Sequence, residues 1–74
     1  MGMFLPKGTI YLINGATGEK ENVMSADLID MADFKSELKY LFEKCGYDIK
    51  KYIEAVYVNG NNKTVYKIIL DELY

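Results

Sequence analysis

Strands that are greasy on both faces, in a chain with a single amphipathic helix, most constrain this fold. Side chains alternate across a strand, so a sheet covered on one side should alternate apolar with polar. Thr9 to Asn14 does not: Ile10 and Leu12 point one way, Tyr11 and Ile13 the other. In the run after Tyr52, Ile53, Ala55 and Tyr57 oppose Tyr52, Glu54, Val56 and Val58. Near the C-terminus, Tyr66, Ile68 and Leu70 oppose Val65, Lys67 and Ile69. One helix covers one face. We assign it to Ile10, Leu12, Ile53, Tyr57, Tyr66, Ile68 and Leu70, which leaves Tyr11, Ile13, Val56, Val58, Val65 and Ile69 in need of cover. At about 25 cal/mol per Å², a bare patch of several hundred Å² costs several kcal/mol, and such patches mark interfaces. The cover is a partner, a second copy, or the chain's own Met3-Phe4-Leu5 and Leu73-Tyr74 folded across it.

The helix is expected from Ala26 to Cys45, capped by Ser25, with Met24 and Ile29 as a hydrophobic staple. At 100° per residue, Met31, Phe34, Leu38, Leu41, Phe42 and Cys45 share one face, with Leu28 and Ala32 beside them. Gly46 suits the left-handed position that ends a helix. A weak, charged edge strand is expected over Glu19 to Met24, after the turn Asn14-Gly15-Ala16-Thr17-Gly18. Asp48 to Ile53 reads two ways, since Ile49, Tyr52, Ile53 and Val56 have helical spacing while Tyr52 to Val58 reads as a strand. A strand from about Ile53, after a turn of helix capped by Asp48, is favoured, and a last strand should run from Thr64 to Leu70. Asn59-Gly60-Asn61-Asn62 marks the hairpin between them. The order is ββαββ. The expected fold is α+β, one domain over residues 1–74, with an antiparallel sheet of three or four strands and the helix on one face.

Composition narrows function. Seventy-four residues leave no room for a deep cleft between lobes. There is no histidine, the usual general base and metal ligand, and the lone Cys45 lies on the apolar helix face as a buried structural thiol. No base-plus-nucleophile constellation is present, so no enzyme, cofactor or metal site is expected. Gly15-Ala16-Thr17-Gly18-Glu19-Lys20 misses the spacing and the following helix of a phosphate loop and reads as a hairpin turn. No apolar run is long enough for a membrane span, and Met1 to Pro6 lacks the features of a signal peptide. A cytoplasmic location follows, in keeping with the unpaired cysteine. All-lysine basicity with many isoleucines, tyrosines and asparagines fits an AT-rich coding source such as a phage or mobile element.

Two surfaces remain. Asp30, Asp33 and Glu37 form an acidic helix stripe, either a solvated face or a patch that meets a basic partner. Lys44, Lys50 and Lys51 with Tyr40, Tyr47 and Tyr52 form a basic-aromatic cluster of the kind that holds single-stranded nucleic acid. Net charge of −2 and the lack of arginine weigh against that use. The function expected is a non-catalytic regulator or inhibitor that binds a protein, itself included as a homodimer. RNA or single-stranded nucleic-acid binding is the alternative.

Overall fold

The computed structural model describes residues 8–74. The fold is α+β: β1 (Gly8–Asn14), β2 (Lys20–Ala26), α1 (Met31–Lys44), a 3₁₀ turn (Ile49–Lys51), β3 (Tyr52–Asn59), β4 (Thr64–Ile69) and a closing 3₁₀ turn (Leu70–Glu72). The strands form one antiparallel sheet in the order β2-β1-β3-β4, so β2 and β4 are its edges. Since β1 runs against both neighbours, β2 and β3 are parallel to each other, and α1 makes the crossover between them.

Both hairpin turns are closed by asparagine. Asn14 Oδ1 accepts from the Ala16 and Thr17 amides at 2.8 and 3.0 Å. Those amides are spent on closing the hairpin rather than on cradling an anion. Asn59 Oδ1 does the same for the Asn61 and Lys63 amides at 2.9 and 3.0 Å, while Asn62 takes a φ of 64°.

Between sheet and helix lies one core: Ile10, Leu12, Leu28, Phe34, Leu38, Leu41, Tyr52, Ala55, Tyr57, Ile68, Leu70 and Leu73. Phe34 is its centre, fully buried, with its ring 5.8 Å from Tyr66 and 6.5 Å from Tyr57. Tyr57 and Tyr66 are cross-strand partners whose rings stack at 5.8 Å. Tyr57 also reaches along the sheet: its hydroxyl donates to Ala26 O at 2.6 Å and accepts from the Leu28 amide at 3.3 Å. Gly8 makes room for that reach, because a Cβ there would sit 2.5 Å from Val58 O and 2.8 Å from Tyr57 Cζ.

Several boundaries differ from the sequence reading. The helix starts at Met31, not Ala26, because β2 keeps pairing with β1 as far as Ala26 and the Tyr57 hydroxyl fixes that end. Asp30 rather than Ser25 is the N-cap, its Oδ1 accepting from the Asp33 amide at 2.8 Å. The Met24–Ile29 staple is absent, with Ile29 81% exposed. Gly46 does take φ +83° just past the helix, and the Tyr47 amide folds back to Leu41 O at 3.4 Å. This turn carries Cys45 out to solvent, so it is not a buried thiol. Ala32 too is exposed. Asp48 caps the 3₁₀ turn as expected, accepting from the Lys50 amide at 3.0 Å.

The tail also differs. The 3₁₀ turn after β4 sends Leu73 into the helix-side core, 3% exposed, and Tyr74 bonds to Glu43 on α1 at 2.7 Å. Leu73-Tyr74 therefore does not cross the second sheet face. Met3-Phe4-Leu5 lies outside the described residues.

Candidate interaction surface

The face turned away from α1 is a grid fixed by the pairing register. Its rows run Ser25–Thr9–Val58–Thr64, Asn22–Tyr11–Val56–Lys67 and Lys20–Ile13–Glu54–Ile69. Tyr11, Ile13, Val56, Val58, Val65 and Ile69 all stand outside the helix-side cluster and the set packed against it, although Val56 and Val58 are buried. The six residues expected to share a second face do so.

They are not equally open. Val56 and Val58 are 6% and 7% exposed, already withdrawn from water in the single chain. Tyr11 and Ile13 are half-buried, while Val65 and Ile69 are 45% and 42% exposed. The open surface of the apolar patch therefore lies at its rim rather than at its centre.

One exposed member was assigned to the wrong side. Ile53 is 55% exposed and does not belong to the core. The register slips here, with Ile13 opposite Glu54 but Asn14 opposite Tyr52, so Ile53 is an extra residue on β3. An added residue shifts the alternation by one. Tyr52 takes the helix-side position instead, and Ile53 stays in phase with Glu54 on the second face. Another slip makes Val65 the extra residue in β4, with Tyr57 opposite Tyr66 and Val58 opposite Thr64.

Charges border the patch. Lys67 Nζ lies 3.6 Å from Glu54 Oε2, and Lys20 Nζ sits 5.5 Å from the centre of the Tyr11 ring. Neither Lys20, Glu54 nor Lys67 was singled out from sequence. Alternation already places Glu54 beside Val56 and Lys67 beside Ile69, whereas the slip at Val23 obscures it for Lys20.

The acidic stripe lies on the opposite layer. Asp30 caps α1, and Asp33 Oδ2 accepts from the Ile29 amide at 3.2 Å, so the two close the helix start reciprocally. Glu37 lies with Ser36 and Tyr40 along a shallow open depression. Two of the three acids thus have a structural task, and the stripe is separated from the apolar face by the thickness of the domain.

The basic-aromatic cluster is divided. Lys44, Lys50 and Lys51 are exposed and Tyr40 is 54% exposed. Tyr47 packs against the core, and Tyr52 is inside it, 9% exposed, its hydroxyl donating to Glu21 Oε1 at 2.9 Å. Base stacking needs a free ring face, which Tyr52 lacks.

Burial and then the Glu21 carboxylate beside it raise the Tyr52 phenol above the ordinary tyrosine value. A raised acid favours the folded state while it is protonated. That contribution is complete below pH of about 10 and is lost as pH climbs through the raised value. Urea denaturation at pH 8 and at pH 10.5 should therefore show a smaller loss of stability between the two in Tyr52→Phe than in the wild type. Equal losses would mean that Tyr52 ionises alike in both states. The same bond with Glu43 raises Tyr74.

No helix among the described residues is long and apolar enough to cross a membrane. Set beside protein-family models, curated proteins and solved structures, the chain matches none.

Proposed function

We propose that the protein is a non-catalytic interaction module, a cytoplasmic regulator or inhibitor that binds protein through its second sheet face. The observation that carries this reading is where the exposed apolar side chains on the strands lie. Among the described residues, Ile53, Val65 and Ile69 are the large apolar strand residues with open surface, and all three stand on the face opposite α1. Around them are Tyr11, Ile13 and the Glu54–Lys67 pair, an apolar patch with a charged border of the kind protein interfaces use. Binding here works by occupancy: the module covers a surface on its partner and carries out no chemistry.

A double variant, Ile53→Lys with Ile69→Lys, tests this. Both positions are open to water, so each change should alter folding stability by no more than about 0.5 kcal/mol. Two buried lysines at a docked face should weaken association by about 2 kcal/mol or more, at least a 30-fold loss. In a pull-down from the native source, wild type should retain protein that the folded double variant releases. Equal retention by both would defeat the reading. Nuclease-sensitive retention that is lost in Lys50→Glu with Lys51→Glu would favour the nucleic-acid alternative instead.

A further inference from the structure

We propose that the outer edge of β4 pairs with β4 of a second copy, antiparallel, about a two-fold axis through Lys67. The product is one continuous sheet with both helices on the same side. This deepens the interaction-module reading, on which it rests, by naming the partner.

The two edges of the sheet are unlike. Both carry a register slip, at Val23 in β2 and at Val65 in β4, so the difference lies in charge: β2 presents Lys20, Glu21 and Asn22. Charge is one way edges are made unreceptive. β4, Thr-Val-Tyr-Lys-Ile-Ile, holds one charge among residues that favour strands, and Glu54 on the neighbouring strand already balances that charge. Among the described residues nothing pairs with its outer side.

Self-complementarity picks the second copy and the register. With the axis on Lys67, Val65 of each copy lies opposite Ile69 of the other, and Tyr66 opposite Ile68. The two open apolar residues of β4 cover one another twice, and each ring meets an aliphatic on the helix side. Moving the axis to Tyr66 sets Val65 against Lys67 and Ile69 against Lys63, which wastes both. The remaining cost of the chosen register is Lys67 facing Lys67, and each is 3.6 Å from its own Glu54. A six-residue strand is only about 20 Å long, and the slip at Val65 shortens its regular part. Pairing therefore buries less than the roughly 1,200 Å² of a standard stable complex, so the dimer is weak, with a Kd on the order of 100 µM.

Sedimentation velocity from about 10 µM to about 1 mM reads this directly. Wild type should shift from monomer to dimer over that range. Val65→Lys and Ile69→Lys should each raise Kd about tenfold or more, since the symmetry counts every lost pair twice. Ile53→Lys, on the same face but a strand away, should leave Kd within about twofold. Lys67→Glu mixed with wild type should give heterodimer in excess of either homodimer. A wild type that stays monomeric throughout overturns edge pairing and leaves the sheet-face reading to its own pull-down. A dimer abolished by Ile53→Lys but kept in Val65→Lys would mean that copies meet face to face, and overturns it too.

Discussion

Phe34→Ala should cost about 3–5 kcal/mol, the range for truncating a fully buried phenylalanine. Domains have roughly 0.05–0.15 kcal/mol of stability per residue, or about 4–11 kcal/mol for a chain of this length, so the variant stands close to unfolding. The size of the effect comes from position. Phe34 has no exposed surface, and its ring contacts both members of the Tyr57–Tyr66 stack that joins β3 to β4. Removing it leaves a void between layers that the paired strands, held by backbone ladders, close poorly. Urea unfolding followed by far-UV circular dichroism measures the change. A loss under about 1.5 kcal/mol would show that Leu38 and Leu41, its buried neighbours along α1, hold the helix without it.

Tyr57→Phe should come next, at about 1–3 kcal/mol, although it changes one oxygen atom. The ring stays and so does its stacking. What disappears is the hydroxyl bonded to both Ala26 O and the Leu28 amide, and Leu28 is buried. Two backbone groups at the β2–α1 junction lose a partner at once, and unsatisfied buried groups are the expensive kind. The loss should be local before it is global: amide exchange at Leu28 should quicken more than at Leu12, deep in β1. Uniform acceleration across the sheet would argue that the hydroxyl contributes only general stability.

Tyr57 also shows why the helix start was misplaced from sequence. Ser25 and Asp30 are both good caps, and local chemistry does not choose between them. The choice is made by a side chain about 30 residues downstream that ends β2 at Ala26. Helical spacing, by contrast, is local, and Phe34, Leu38 and Leu41 could be read directly as the buried face. The turns at Asn14 and Asn59 were legible for the same reason: an asparagine side chain satisfies amides two to four residues away.

The second sheet face was legible in outline, because alternation over even five residues separates Tyr11 and Ile13 from Ile10 and Leu12. Ile53 was lost to its one-residue slip. Such a slip depends on how β3 sits against β1, and no window of β3 alone contains it. Cys45 was lost to Gly46, whose turn ends the helix just as the periodicity would bring the thiol inward. Leu73 followed the same logic: a 3₁₀ turn after β4 redirects the tail, where continued alternation would have carried it across the sheet. Lys67 was placed on this face by alternation alone, but that Lys20 and Lys67 flank the patch follows from the strand order, a long-range fact.

The unlike margins of the sheet have a consequence for growth. If β4 pairs with β4 of a second copy as proposed, the layer is self-terminating: a single joining event uses up that margin, and what remains outward on both flanks is the more charged strand β2. Fibres need two sticky ends per unit, and such a pairing would leave none.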